Sequence, residues 1–256
     1  EGVGVLYDMH WPERQYQSAR GARQSALHHI IKANGACFGS VSGWERPNWY
    51  APGNRNPDYE YSYGRQNWFD YAAQEHKAVR EDVGLFDQSS FAKFVLKGRD
   101  AKNTLQIICS NNVDVEPGTV VYTAMLNSNG GIEADVTVTR ISEEEFWIFT
   151  GAATSNRTFN WIKTNTPHES NVFLYDITSS YGVIGLMGPK ARALLKKLTG
   201  DELSSQQYPF RSSSEFEIGY ATVRATRITY VGELGWELQI PSEFMVNVYE
   251  SIVSEG

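Results

Sequence analysis

The stretch NSNGGIEADVTV, residues 127–138, combines a tight turn with an extended strand. The Asn-Gly-Gly sequence at 129–131 tolerates positive φ and separates two runs of apolar and β-branched residues, which predicts a β-hairpin. In an extended segment 132–139 the side chains alternate, so Glu133 and Asp135 are expected on one face. A polar strand face usually meets solvent. The pattern alone therefore leaves open whether either carboxylate has a function.

The rest of the chain predicts strands and helices without strict alternation. Predicted strands cover 91–96, 120–127, 132–140, 146–150, 172–176, 181–187, 217–229 and 235–240. Predicted helices cover 70–81, 99–110, 153–163, 189–198 and a last segment from 242, after a short first helix between an N-cap at Ser25 and a stop at Gly35. This order predicts an α+β fold in two lobes, with mixed but mainly antiparallel sheets.

Two segments have the composition of irregular chain. Residues 1–24 mix aromatic and charged residues without a sustained period, as expected of a connector that lies on another body. Residues 50–66 are rich in Pro, Gly, Asn and Tyr, which predicts a loop. We therefore divide the chain into a connector, 1–24, and one folded unit, 25–256.

The composition excludes several classes of protein. With 256 residues, 41% of them hydrophobic, the chain can bury a sizeable core. No apolar run approaches the roughly 18 residues of a membrane span, and the N-terminus lacks the pattern of a signal peptide. A net charge of −7 argues against nucleic-acid binding. The two cysteines, Cys37 and Cys109, fit a reducing compartment better than a disulfide framework.

The common catalytic signatures are absent from the sequence. It contains no P-loop, HExxH, CxxC pair, GxSxG or dinucleotide-binding fingerprint. Its five histidines show no metal-ligand spacing, so we expect no metal site.

A second acidic motif, RITYVGELGWELQI at 227–240, places Glu237 in a strand after a glycine-containing turn. Alternation puts Trp236 and Leu238 on one face and Glu237 on the other. By itself such a glutamate is more often exposed than functional.

Five ordered segments carry a resemblance to a known family. They are SALHHIIKANGACFGSVSGWERPNWY (25–50), HKAVREDVGLFDQSSFAKFVLKGRDA (76–101), VYTAMLNSNGGIEADVTV (121–138), IGLMGPKARALL (184–195) and RITYVGELGWELQI (227–240). The set resembles the aminomethyltransferases, the T-proteins of glycine cleavage. GWERPNW and VGELGWEL resemble more closely the folate-binding half of sarcosine and dimethylglycine dehydrogenases, and the segment before Ser25 resembles the exit from their flavin domain.

The resemblance implies a site for tetrahydrofolate. Glu237 matches the carboxylate that holds the adjacent N–H donors of the pterin. Asp135 matches the carboxylate beside the reactive nitrogens, where it acts in proton transfer and charge stabilisation. Tyr122 and Tyr230 match aromatic residues that line the folate pocket. Glu133 matches no family role and is expected to be a solvated neighbour.

The resemblance also implies a function for the chain. It would capture the formaldehyde equivalent released from an oxidised N-methylated glycine and form 5,10-methylenetetrahydrofolate, with FAD only in an upstream flavin domain of the same polypeptide. The family's C-terminal barrel has no counterpart in this chain, and amine oxidation is not expected of it alone. A cytoplasmic or mitochondrial-matrix location fits.

Two alternatives stay open. One is an aminomethyltransferase of the glycine cleavage system, which works with a lipoyl carrier protein. The other is a non-catalytic relative such as the regulatory subunit of the pyruvate dehydrogenase phosphatase, against which the presence of both Asp135 and Glu237 argues.

Overall fold

The computed structural model describes residues 2–53 and 55–256. Its helices are α1 (Gly2–Val5), α2 (His28–Ala33), α3 (Phe69–Glu81), α4 (Ala101–Ile108), α5 (Ser155–Asn165), α6 (Ala191–Thr199) and α7 (Met245–Glu255). Its strands are β1 (Ala36–Val41), β2 (Trp44–Tyr50), β3 (Gly84–Asp87), β4 (Ala92–Lys97), β5 (Val120–Leu126), β6 (Ile132–Arg140), β7 (Glu145–Thr150), β8 (Phe173–Asp176), β9 (Tyr181–Met187), β10 (Ser213–Ile218), β11 (Ala221–Thr226) and β12 (Gly235–Pro241).

Antiparallel sheets organise the chain. One five-stranded sheet has the order β10-β11-β12-β9-β3 and contains Glu237; we call it the Glu237 sheet. The other has the order β5-β6-β7-β4-β8 and contains Asp135; we call it the Asp135 sheet. Strands β1 and β2 form a separate hairpin. The predicted α+β class with antiparallel sheets is confirmed, and the described residues form no closed barrel.

Each large sheet buries one face under helices. On the Glu237 sheet, Trp236, Leu238 and Ile240 pack in one core with residues of α2, α6 and α7. On the Asp135 sheet, Val136 and Val138 pack in a second core with residues of α4 and α5. Because side chains alternate along a strand, Glu237 and Asp135 project from the opposite, helix-free faces of their sheets.

The two helix-free faces meet in a small apolar cluster. Val95, Trp147 and Phe149 of the Asp135 sheet pack against Val183 of the Glu237 sheet. The Arg224 guanidinium of β11 lies 5.7 Å from the centre of the Trp147 ring. The molecule is therefore built in four layers, helices, sheet, sheet and helices, and the two inner faces oppose each other.

The structure corrects three predicted elements. The single strand predicted at 217–229 is two strands, because Gly219 adopts a φ of +61° and reverses the chain between β10 and β11. Ser25 is not an N-cap. Helix α2 begins at His28, with Leu27 at the N-cap position, and the Ser25 hydroxyl donates to the Asp87 carboxylate. The hairpin of β1 and β2 was not predicted, since Pro47 and a register irregularity after Cys37 disturb its alternation.

The predicted connector lies along the β1–β2 hairpin. Arg20 forms an ion pair with the buried Glu45 over 2.5 Å, and the Arg23 N–H donates to Gly43 O over 2.9 Å. The predicted domain boundary at residue 24 stays a prediction. Glu1 of the connector and Asn54 of the predicted loop lie outside the described residues. No helix in the described segments has the length and apolar character needed to cross a membrane.

Candidate functional site

A cavity of about 910 Å³ opens between the inner faces of the two large sheets. Strands β5, β6 and β7 supply one wall, and β9 and β12 supply part of the other. All four predicted site residues, Tyr122, Asp135, Tyr230 and Glu237, line this one cavity. Their functional roles remain predictions, but the fold brings together side chains that are far apart in the sequence.

The β5–β6 hairpin places Asp135 on its wall. Asn127 Oδ1 accepts hydrogen bonds from the N–H groups of Asn129 and Gly131 at 3.0 and 2.9 Å, which closes the predicted turn. Tyr122 lies opposite Thr137 in the ladder, one diagonal position from Asp135. The Tyr122 hydroxyl donates to Asp135 Oδ2 over 3.1 Å, and this bond raises the pKa of the tyrosine.

Glu133 does not share the environment of Asp135, which corrects two expectations. The ladder pairs Met125 with Ala134 and Leu126 with Ile132, so Glu133 has no paired residue. Its carboxylate accepts from Asn127 Nδ2 at 2.8 Å and forms an ion pair with Arg157 of α5. These partners hold the pKa of Glu133 below its ordinary value. Glu133 is therefore a bound structural carboxylate outside the cavity, and not a solvated neighbour on the same face.

Glu237 lies on the opposite wall in a different electrostatic setting. It pairs with Gly185 of β9 and Thr226 of β11 in the ladder. The side chain is only half-buried because it opens into the cavity, yet none of the described residues gives it a hydrogen bond or an ion pair. Desolvation raises the pKa of Glu237 to about 7. A carboxylate with this much protein around it and no partner is prepared to receive N–H donors from a ligand.

Aromatic rings stand at the cavity rim. Tyr230 keeps 75% of its surface exposed, and its ring lies 6.1 Å from that of Phe91 in an edge-to-face contact. The Thr229 hydroxyl accepts from the N–H groups of Val231 and Gly232, which shapes the turn that carries Tyr230. Tyr122 is 62% exposed on the other side. Such open rings offer a flat heterocycle two surfaces on which to stack.

Two polar residues of the cavity were not predicted. Gln88 follows β3 and is nine-tenths buried, and its side-chain oxygen has no hydrogen-bond partner among the described residues. Arg211 lies before β10, adopts a left-handed φ of +71°, and forms no ion pair with any described residue. A positive φ in a non-glycine residue often marks a functional position. Gln88 lies in the segment 76–101 that carries the family resemblance, but no role was predicted for it, and Arg211 lies outside all five quoted segments.

The chain is similar to several known proteins. Residues 27–256 match the family model described as the GCVT N-terminal domain. The chain is 40% identical over its full length to 4-methylaminobutanoate oxidase (formaldehyde-forming) of Paenarthrobacter nicotinovorans, covering 31% of that protein. Over 95% of its length it is 34% identical to the mitochondrial dimethylglycine dehydrogenase of Mus musculus, covering 28% of it.

Two further similarities bear on the alternatives. The mitochondrial regulatory subunit of the pyruvate dehydrogenase phosphatase of Mus musculus is 31% identical across the whole chain, which covers 30% of that subunit. The crystal structure of the glycine cleavage system aminomethyltransferase T from Bartonella henselae superposes with a TM-score of 0.75 at 22% identity, covering 92% of this chain and 58% of that one. This likeness shows the fold.

The chain spans about three tenths of the length of these curated relatives. Within that span, the family model covers nearly all of the folded unit. The chain belongs to the GCVT N-terminal domain family, with relatives among both the aminomethyltransferases and the dehydrogenases of N-methylated glycines.

Proposed function

We propose that this chain is a tetrahydrofolate-binding, one-carbon transfer module. It would capture the formaldehyde equivalent released when an N-methylated amino acid is oxidised, and the product would be 5,10-methylenetetrahydrofolate. The observation that carries the proposal is the pair of unlike carboxylates, Asp135 and Glu237, on opposite walls of one aromatic-rimmed cavity.

The cavity residues fit a reduced folate. Glu237 has no partner among the residues that the structure describes, and a carboxylate accepts two parallel N–H donors, as an amino-pyrimidinone edge presents them. The exposed rings of Tyr122 and Tyr230 suit the flat pterin and p-aminobenzoyl groups. Arg211, which forms no ion pair within the described part of the chain, suits the glutamate carboxylates of the ligand. A cavity of about 910 Å³ falls in the range of small-molecule sites, roughly 300–1,000 Å³.

When bound, a reduced folate supplies the nucleophilic nitrogens that accept the one-carbon unit. The chain's own contribution to this chemistry would come from Asp135. A carboxylate fixed beside a developing cation stabilises its charge and can take up the proton lost from nitrogen. The Tyr122 hydroxyl orients that carboxylate through its hydrogen bond to Oδ2. Glu237, which lies on the opposite wall, would bind the heterocycle and take no proton from it.

A flavin domain is the proposed source of the one-carbon unit. Two relatives of the chain are a formaldehyde-forming oxidase and a dimethylglycine dehydrogenase, both much longer than this chain. Oxidation of an N-methylated amine would take place in such a domain of the same polypeptide, with FAD bound there. A mitochondrial matrix or cytoplasmic location would suit this chemistry and the two free cysteines.

One alternative has a specific observation in its favour. The regulatory subunit of the phosphatase is 31% identical to the chain, so a regulatory role is compatible with this fold. The unpartnered Glu237 and the tyrosine-bound Asp135 favour a ligand site over a purely structural domain.

Titration calorimetry of the intact protein with tetrahydrofolate tests the proposal. We expect saturable binding, and we expect excess ligand to raise the unfolding temperature, because a ligand that binds only the native state stabilises it. Absence of both heat and thermal protection would reject the folate site and favour the regulatory alternative.

A further inference from the structure

Two arginines converge on one serine hydroxyl at the edge of the Glu237 sheet. Arg192 of α6 donates from Nη2 to Ser205 Oγ over 3.0 Å. Arg227, which follows β11, donates from its own Nη2 to the same oxygen over 3.2 Å. Ser205 is exposed and lies in the segment between α6 and β10. Three separate parts of the chain therefore meet at this point of the protein surface.

This cluster lies behind the cavity wall and outside the cavity. Ile228 lines the cavity, while the guanidinium of the preceding Arg227 lies 5.8 Å from the centre of the Trp236 ring, in the core under the helices. Neither arginine nor Ser205 is among the described residues that line the cavity. A ligand held by these residues would therefore occupy a second site.

The two guanidinium charges are not balanced by a carboxylate. Neither Arg192 nor Arg227 forms an ion pair with a residue that the structure describes. The nearby Glu202 is instead paired with Lys196 of α6. Burial, and next the charge of Arg192, lower the pKa of Arg227. Two half-buried like charges without an anion between them are unfavourable, and a bound anion would relieve their repulsion.

The serine satisfies the geometry of the two arginines but leaves their charge in place. A hydroxyl oxygen has two lone pairs and no charge, so it accepts one hydrogen bond from each guanidinium and neutralises neither. Arg192 has five N–H donors and makes one hydrogen bond with the described residues. A tetrahedral oxyanion offers several acceptor oxygens to such forked donors and carries the missing charge.

We infer that Arg192, Arg227 and Ser205 form a binding site for a tetrahedral oxyanion of the phosphate class, separate from the proposed folate cavity. The anion would bridge the two guanidinium groups, and the serine hydroxyl would rotate to donate to it. It would also fix the segment that continues into Phe210 and Arg211 of the cavity wall. The same chemistry would hold free phosphate or the phosphate group of a larger molecule.

Thermal unfolding and calorimetry of the intact protein with inorganic phosphate, at constant ionic strength, test this site. We expect a saturable rise in the unfolding temperature that acetate does not give, because a ligand that binds only the native state stabilises it. Arg192→Gln should raise the Kd for phosphate by about tenfold or more, since a charged donor is lost. Arg46→Gln, at an exposed site on β2, is the control and should leave this Kd unchanged.

Ser205→Glu gives an independent measurement. A carboxylate at position 205 would take the place of the anion between the arginines, so this variant should unfold at a higher temperature than the parent, and phosphate should protect it no further. Adding Arg192→Gln should reduce this gain.

Two results would contradict the inference: phosphate that protects the parent no better than acetate, or an Arg192→Gln variant that binds phosphate as tightly as the parent. Glycerol 3-phosphate, titrated in parallel, distinguishes the two sources of the anion. A lower Kd than that of inorganic phosphate would support a phosphorylated ligand, and a higher Kd would support free phosphate.

Discussion

Tyr122 and Asp135 are joined across neighbouring strands, with the tyrosine hydroxyl 3.1 Å from Asp135 Oδ2. The bond holds the carboxylate on the inner face of its sheet, in the cavity that Glu237 enters from the other side. Its neighbour Glu133 is instead bound by Asn127 and Arg157. Two carboxylates only two positions apart in the sequence therefore have separate environments, and this difference leads to the first prediction.

Asp135→Asn should impair one-carbon capture more than amine oxidation. In the intact protein we expect the yield of folate product to fall by about 10²–10⁴-fold, because the amide cannot act as a base or offset positive charge. Oxidation at a separate flavin should stay nearly unchanged, so the uncaptured carbon would leave as formaldehyde. Formaldehyde and 5,10-methylenetetrahydrofolate are measured side by side.

The control for that experiment is Glu133→Gln. It keeps an acceptor for Asn127 and weakens the ion pair with Arg157, which is exposed and contributes little to stability. We expect this variant to form formaldehyde and 5,10-methylenetetrahydrofolate in the same ratio as the parent. A larger effect from Glu133→Gln than from Asp135→Asn would show that Asp135 is not the catalytic carboxylate.

Tyr122→Phe should show what the hydroxyl contributes. The ring remains for stacking, but Asp135 loses the donor that orients it, so capture should slow by roughly three- to tenfold, the value of one ordinary hydrogen bond. Affinity for tetrahydrofolate should change by less. Single-turnover rates at saturating folate give the first quantity and calorimetry the second; a loss confined to affinity would show that the tyrosine only packs against the ligand.

Arg211→Gln tests where the ligand's glutamate lies. We expect the Kd for tetrahydrofolate to rise by about three- to tenfold, with a weaker dependence on salt, since one screened charge pair is lost. Affinity for a tetrahydropterin without the glutamate should not change. Arg46→Gln, at an exposed site on β2 outside the cavity, is the control. Equal losses for both ligands would place Arg211 beside the heterocycle instead.

Glu237 should also make the ligand-free protein sensitive to pH. The pKa of Glu237 is raised from 4.5 to about 7 in the folded protein. The free energy of unfolding is therefore highest below about pH 4.5, where the carboxyl is protonated in both states, and it falls as the pH rises toward 7. Glu237→Gln should remove this loss and be more stable than the parent at pH 8 by about 1–3 kcal/mol. Denaturant unfolding at pH 5 and pH 8 measures the difference; an identical pH dependence in both proteins would mean that the carboxylate is well solvated.

The sequence predicted the strands whose alternation is long and regular. Strands β5, β6 and β7 follow the pattern because each has one face buried under helices and one facing the cavity. It missed the short β3 and the hairpin of β1 and β2, in which Pro47 and an irregular register obscure the period. It also joined β10 and β11, because a single glycine at 219 within a strand-like run is equally typical of a bulge as of a reversal.

Some residues of the candidate site could be predicted from the sequence, and others could not. Asp135, Glu237 and the two tyrosines stand in motifs, and their proposed roles came from the family resemblance and not from periodicity. The resemblance assigned no role to Gln88 or Arg211. Both residues are placed in the cavity by contacts with segments that are distant in the sequence. Gln88 is held by Val183, and the Arg211 carbonyl accepts from the Val120 N–H over 2.8 Å.

The pH dependence of tetrahydrofolate affinity shows whether Glu237 holds the ligand as a carboxylate. If Glu237 grips N–H donors, it must be ionised, so the Kd of the intact protein should be constant above pH 7 and should rise by nearly tenfold per unit below it. Glu237→Gln should bind about 1–3 kcal/mol more weakly at pH 8 and lack this dependence. The measurement is calorimetric titration of both proteins between about pH 5.5 and 8.5. A parental Kd that does not vary with pH, together with an equal Kd in the variant, would show that Glu237 does not bind the ligand.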